Sequence, residues 1–198
     1  MKLLAFSDLH RDRRRAARLV ELSERADAVA AVGDLASVHR GLEETVAELA
    51  SIDRPAFVVP GNNETEEDLR AACSSWASAV VLHGEGAALD GVELFGLGGG
   101  IPITPWDWSF DLDEEEAAAR LERCPDGAVM LVHSPPFGHV DVSGDGRHLG
   151  SRAVLAAIER KRPPLALCGH IHESWGQESR IGPTWVVNLG PDGAFFDL

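Results

Sequence analysis

The sequence is poor in cysteine. Only Cys73, Cys124 and Cys168 occur in 198 residues, far apart, odd in number and never as CxxC. That excludes a disulfide framework and a thiolate zinc site, and it fits a reducing, cytoplasmic setting. Long apolar runs are also missing. The opening MKLLAF stops at Ser7-Asp8, too short for a signal-peptide core or a membrane span. Net positive charge is missing too: 18 Lys and Arg face 32 Asp and Glu, a formal charge of −14. A long nucleic acid is therefore not the expected partner, because phosphate backbones are gripped by basic surfaces. The one basic cluster, Arg11, Arg13, Arg14, Arg15 and Arg18, fans around a helix axis and reads as a solvated face. There is no internal repeat and no low-complexity linker. The length suits a single α/β domain over 1–198 with a core that needs no covalent staple.

What is present is alternation. Short apolar runs predict strands at 2–6, 28–32, 56–59, 79–82, 92–97, 128–132, 165–168, 184–188 and 193–197. Amphipathic stretches predict helices at 12–25, 41–50, 65–76, 113–122 and 151–161. Thr65 with Asp68 forms a capping-box pattern, Ser151 is placed to cap the following helix, and Pro163-Pro164 stops it. Strand–helix alternation reads as α/β, and the strand-rich second half predicts a second sheet of mixed direction. The longest loop, GLGGGIPITPWDWSF at 96–110, is of a length that is often functional.

The polar residues follow the strands. Asp8 and His10 follow the first apolar run, and Asp34 follows the second after Gly33. Asn62 follows the third after Gly61, His133 follows VMLV, and His170 and His172 follow LALCG. Ligands of α/β sheets bind outside the carboxyl ends of strands, and glycine there lets backbone approach closely. Asp8-x-His10 and His170-x-His172 are spaced by two, so in extended chain each pair aims at one point. Two carboxylates, four imidazoles and one amide make a nitrogen and oxygen donor set without sulfur. It is too large for one tetrahedral zinc and natural for two divalent ions sharing a carboxylate and a water. Mn²⁺ or Fe²⁺ suits it, and Zn²⁺, Co²⁺ or Ni²⁺ is compatible. Two such ions outweigh the charge of Asp8, Asp34 and a bridging hydroxide, so the centre attracts a phosphate anion despite the acidic chain.

The succession DLH, GD, GNNE, HSPP and GHIH between residues 8 and 172 resembles the calcineurin-like metallophosphoesterases. HSPPFG, HLGSRAVLAAIE and PPLALCGHIHESWG are similar to the small single-domain bacterial and archaeal branch. The resemblance implies a four-layer αββα sandwich with two mixed β-sheets. It implies that Asp8, His10 and His172 hold one metal, that Asn62, His133 and His170 hold the second, and that Asp34 bridges. It implies phosphoester hydrolysis by a metal-bridging hydroxide, with Asn62 and His170 stabilising the developing charge.

Within VVPGNNE, Asn63 stands where many members carry a leaving-group histidine. An amide donates a hydrogen bond but delivers no proton near neutral pH. The expectation is a phosphodiesterase of small diesters or nucleotides, sensitive to leaving-group quality. His139 and His148, in the loop after His133, are the candidates to replace the missing acid. A catalytically weak scaffold of the same fold is the alternative of a different class.

Smaller signals carry two readings each. Trp106 and Trp108 are a stacking wall for a nucleobase or an anchor for their loop. His39 and His83 read as surface histidines. Glu64 reads as an orienting group at a helix start, Cys168 as a buried small apolar residue, and Asn188 as structural.

Overall fold

The computed structural model describes all of residues 1–198. Strands β1 (Lys2–Phe6), β2 (Ala28–Val32), β3 (Ala56–Val59) and β4 (Ala79–Val81) run parallel, and β11 (Ala194–Asp197) joins β1 antiparallel, in the order β11-β1-β2-β3-β4. The second sheet contains β5 (Glu85–Leu89), β6 (Val92–Leu97), β7 (Val129–Val132), β8 (Leu165–Cys168), β9 (Glu178–Ile181) and β10 (Thr184–Asn188). Its order is β5-β6-β7-β8-β10-β9, parallel in the centre and antiparallel at both edges. Helices α1 (Arg13–Ser23), α2 (Leu42–Leu49) and α3 (Glu66–Cys73) cover the first sheet, while α4 (Glu114–Leu121) and α5 (Arg152–Lys161) cover the second.

Three apolar clusters define the four layers. Leu4, Phe6, Val29 and Val58 pack against Leu19, Val46 and Leu69 of the first helical layer. Leu3, Ala30, Val32 and Val59 meet Leu94, Leu131 and Leu167 between the sheets. Met130, Val132 and Ala166 face Ala117, Leu121, Val154 and Ile158. Central parallel strands are buried on both faces, which is why AVAAV, VMLV and LALC are continuously apolar rather than alternating. The sandwich and its mixed sheets match the expectation. No helix is long and apolar enough to cross a membrane.

Two strands were absent from the expectation, and both are edges. β5 exposes three of its five residues and β9 two of its four, so neither carries an apolar run. β5 had a readable signal: Asp90 and Gly91, both at positive φ (50° and 80°), make the two-residue turn that pairs Leu89 with Val92. The helix starts follow the caps anticipated: Thr65 accepts from Asp68 N–H and Ser151 from Val154 N–H. Asp12 caps α1 by accepting from Arg14 and Arg15 N–H.

His83 corrects a further expectation, because it is buried rather than at the surface. It leaves β4 at 4% exposure and accepts the Gly98 N–H at 3.1 Å through Nδ1, tying the long loop to the sandwich. Burial, helped by the Arg120 charge, lowers its pKa from 6.5 to about 4. The folded protein therefore holds the ring neutral, while the unfolded chain protonates it below about pH 6.5. Its contribution is present in full above that pH and is lost as pH falls towards 4. Metal-free wild type should lose more stability than His83→Gln between pH 7 and pH 5. The difference should approach roughly 2 kcal/mol, read from denaturant midpoints. A difference that stays constant with pH would remove His83 from the acid response.

Candidate metal centre

All the predicted donor residues lie at one end of the sandwich, beyond the carboxyl ends of β1, β2, β3, β7 and β8. The loops interlock through backbone: Asp8 N–H donates to Gly33 O at 2.9 Å, His10 N–H to Asp34 O at 2.9 Å, and Gly169 N–H to His133 O at 3.0 Å. To turn so sharply, four of the donor residues adopt left-handed backbone: Asp8 at φ 55°, His10 at 43°, Asp34 at 57° and His170 at 69°. Non-glycine residues in that region cost of order 1–3 kcal/mol each and persist where the surroundings over-determine them. Two glycines make room. A Cβ on Gly61 would overlap the Asp34 carboxylate, and one on Gly33 would overlap the His133 ring.

The donors form two groups that share one residue. Asp8, His10, Asp34 and His172 present atoms within 4.8 Å of one another, and so do Asp34, His133 and His170. Asp34 divides its oxygens: Oδ2 is 3.5 Å from His10 Nε2, and Oδ1 is 3.5 Å from His133 Nε2. In the first group His10 and His172 Nε2 atoms are 3.0 Å apart, and His172 Nε2 is 3.8 Å from Asp8 Oδ1. Asn62 Oδ1 joins the second group, 3.0 Å from His170 Nδ1 and 3.4 Å from His133 Nε2.

Backbone sets the tautomers. His133 Nδ1 lies 2.9 Å from Val32 O and His10 Nδ1 lies 3.2 Å from Ala36 O. Each Nδ1 carries the proton and donates to its carbonyl, so each Nε2 lone pair faces the cluster.

Other side chains hold the donors in place, and most of these carried no sequence signal. Asp8 Oδ2 accepts from Ser7 Oγ at 2.5 Å and from Trp175 Nε1 at 3.1 Å, and Asp8 Oδ1 accepts from His170 N–H at 3.0 Å. Asn62 Nδ2 donates to Ser109 Oγ at 2.9 Å, and Ser109 donates to Asp111 Oδ1 at 2.7 Å. That relay settles the amide's orientation and turns its oxygen inward. Asn63 grips Asp34 twice, from N–H to Oδ1 at 2.9 Å and from Nδ2 to Oδ2 at 2.7 Å.

Glu64 does not cap α3, whose cap is Thr65. It accepts from Gly61 N–H at 2.8 Å and Ala36 N–H at 3.0 Å, clasping two donor loops together. Asn188 Nδ2 reaches Val140 O, Gly169 O and Ile171 O at 3.0, 3.1 and 3.2 Å and so fixes the GHIH turn.

Charge tests whether metal fits. Asp8, Asp34 and Glu64 are buried together at 2% exposure or less, and no Lys or Arg pairs with any of them. Burial and the Asp8 carboxylate push Asp34 above the usual carboxylate range. Burial opposes protonation of His133, yet the carboxylates of Asp34 and Asp8 prevail and hold it up. Burial and the neighbouring imidazoles hold His170 well below the usual range, and burial also lowers His172. A buried acidic cluster without a lysine or arginine, lined by imidazoles whose ring nitrogens point inward and whose protons a cation would displace, fits divalent cations.

The two remaining catalytic candidates lie elsewhere. His139 Nδ1 is 2.7 Å from Ser179 Oγ, and His148 Nδ1 is 2.6 Å from the buried Asp141 carboxylate. Neither lines the cleft above the donors, which has a volume of about 650 Å³. The structure does not bring them to the cluster, because the loop after β7 folds back on Asp141. None of the basic-cluster arginines lines the cleft either: Arg13 pairs with Glu48 and Arg15 with Asp192.

Fold and site define the class: a sandwich of two mixed sheets with a histidine- and carboxylate-lined cleft at the strand ends. The chain belongs to the calcineurin-like phosphoesterase superfamily, whose domain matches residues 1–195. A UPF0046 protein of Caenorhabditis elegans is 36% identical over 93 residues, 43% of this chain and 23% of that protein. Metallophosphoesterase domain-containing protein 1 of Homo sapiens is 28% identical over 135 residues, 65% of this chain and 38% of that protein. The chain spans only 23% and 37% of the length of two Caenorhabditis elegans relatives. Among solved structures, the Thermus thermophilus protein TT1561 superposes with a TM-score of 0.77 at 21% identity, covering 96% of this chain and 88% of that one. Phosphopantetheinyl hydrolase of Mycobacterium tuberculosis reaches 0.66 at 14% identity over 96% of this chain and 90% of that one. At these identities the structural likenesses speak for the fold alone.

Two outcomes follow from the geometry. Asp34→Asn removes the one carboxylate shared by both groups, so metal content should fall from about two ions per chain to one or fewer. Elemental analysis after dialysis reads this directly, and an unchanged content would refute the shared role. Imidazoles bind metal only when neutral, so affinity should fall steeply below about pH 6. A flat binding curve from pH 7 to pH 5 would exclude a site built on four histidines.

Proposed function

We propose that the protein is a dinuclear metal-dependent phosphoesterase that prefers diesters to monoesters. The observation that carries this is Asp34, whose two oxygens each face a separate imidazole group. In this reading Asp8, His10 and His172 hold one ion, Asn62, His133 and His170 hold the other, and Asp34 serves both. Mn²⁺ or Fe²⁺ suits these donors, with Zn²⁺, Co²⁺ and Ni²⁺ also compatible. Bound ions would supply Lewis acidity at a phosphoryl oxygen and a lowered water pKa.

The chain's own residues set the rest. Asn62 is held oxygen-inward by Ser109, and His170 lines the cleft beside it, so both stand where a phosphoryl group would develop charge. Asn63 occupies the position of the expected leaving-group histidine, and its amide is committed to Asp34. His139 and His148 are bonded away from the cleft, so no ring outside the donor set stands ready to protonate a leaving group. Esters with good leaving groups are favoured accordingly.

The preference for diesters has an electrostatic basis. No Lys or Arg lines the cleft, and Glu173 does. A monoester dianion would find no cationic side chain for its additional charge, whereas a diester carries one charge for the ions to meet. The substrate is a small phosphodiester or nucleotide, and three buried free thiols support a reducing, cytoplasmic setting.

The test compares bis-p-nitrophenyl phosphate with p-nitrophenyl phosphate, with Mn²⁺ and after chelation. Diester kcat/KM should exceed monoester kcat/KM by roughly tenfold, and chelation should abolish both until metal is restored. Metal-loaded protein that turns over neither ester would overturn the proposal.

A further inference from the structure

Large exposed apolar side chains are few: Val38, Val80, Ile103, Trp106 and Leu149, between 38% and 65% exposed. Three of them, Ile103, Trp106 and Leu149, line the cleft above the metal centre. Clustering of apolar surface at a polar site marks binding rather than folding. The indoles of Trp106 and Trp108 lie 5.5 Å apart at 14°, a near-parallel slab facing the cleft. Neither tryptophan belongs to any of the three apolar clusters, so they do not anchor their loop in the core.

The slab is held on the metal-centre loops instead. Trp108 O meets His39 Nε2 at 2.5 Å, and Phe110 N–H donates to Asn62 O at 3.0 Å. Asp111 closes the loop by accepting from Thr104 N–H and Thr104 Oγ1, each at 2.7 Å. His39 itself sits in a turn where Val38 and His39 take φ 49° and 57°. A β-branched residue at positive φ is an outlier that only strong local restraint maintains. Asn63 supplies that restraint, accepting Val38 N–H at its Oδ1 at 2.8 Å and His39 N–H at its carbonyl at 2.9 Å. One asparagine thus fixes both Asp34 and the support of the aromatic wall.

We propose that Trp106, backed by Trp108 and flanked by Ile103 and Leu149, is a subsite for a planar aromatic group attached to the substrate's phosphoester. The subsite rests on the phosphoesterase reading of the adjoining centre. A flat ring gains from an indole face as a stacking surface, and the low charge of the wall favours an uncharged ring. Such a group comes either from a nucleobase or from a simple aryl ester.

The experiment measures equilibrium binding of methylphosphinates, which are not hydrolysed and carry the single charge of a diester, to Mn²⁺-loaded protein. Methylphosphinates bearing a second methyl, a cyclohexyl, a phenyl or a nucleoside 5′-methylene group present the same monoanion with different organic groups. The phenyl compound should bind about tenfold more tightly than the methyl compound, the scale of one stacked ring. Trp106→Ala should shrink that ratio to about twofold or less, and Trp106→Phe should retain most of it. The tighter of the phenyl and nucleoside compounds identifies the source of the ring. Equal binding of methyl and phenyl compounds, a ratio that survives Trp106→Ala, or a cyclohexyl compound matching phenyl would overturn the subsite alone. Failure of all four to bind would overturn the subsite and the phosphoesterase reading together.

Discussion

The structure turns on a carboxylate that is buried with no lysine or arginine beside it. Asp34 lies at 2% exposure, faces two imidazole groups, and shares its pocket with Asp8 and Glu64. Leaving such charges uncompensated in a low-dielectric interior is costly, and the polar groups around them act to reduce that cost. Asn63 donates twice to Asp34, three donors hold Asp8, and backbone amides from two loops hold Glu64. The arrangement stays electron-rich at its centre and aims its lone pairs at two points. That is the electrostatic shape of a cation site before any cation is considered.

Backbone strain and close contact follow from the same demand. Five strands can deliver five loops to one end, but neighbouring ends are separated by about 4.8 Å within a sheet and by about 10 Å between the two sheets. Drawing side chains from five loops into one cluster requires tight turns immediately after the strands. The left-handed conformations at Asp8, His10, Asp34 and His170 are those turns, and Gly33 and Gly61 keep the neighbouring loops from colliding. The apolar sandwich beneath supplies the rigidity that keeps four unfavourable conformations in place.

The long loop between β6 and α4 joins the candidate metal cluster to the opposite wall of the cleft. Ser109 and Asp111 orient Asn62, while Trp106 and Trp108 form the opposing wall. His83 holds the base of this loop and His39 its far side, so two histidines that looked incidental serve to position it. A cleft with one polar floor and one apolar wall suits an ester with a charged centre and an uncharged organic group.

The donor residues were legible because each follows an apolar run, and the sheet forces the ends of parallel runs to one side. The αββα layering was legible for a similar reason: continuous apolar strands need cover on both faces. β5 and β9 were not, since edge strands carry little hydrophobic pattern, although the Asp90-Gly91 turn marked one of them. His139 and His148 showed the limit of proximity in sequence. Both follow His133 closely, yet Ser179 and Asp141 capture them through contacts no spacing rule contains.

Asn63 divides the two sources of information most clearly. The resemblance to the phosphoesterases implied a proton donor at this position, and an amide there delivers no proton in any conformation. Only the tertiary structure decided that its side chain grips Asp34 and steadies the turn at Val38, and that Trp175, Ser109 and Asp111 brace the other donors. Residue chemistry is local and can be read along the chain. Hydrogen-bond partners depend on which loops the two sheets bring within about 3 Å, and that distance exists only after folding.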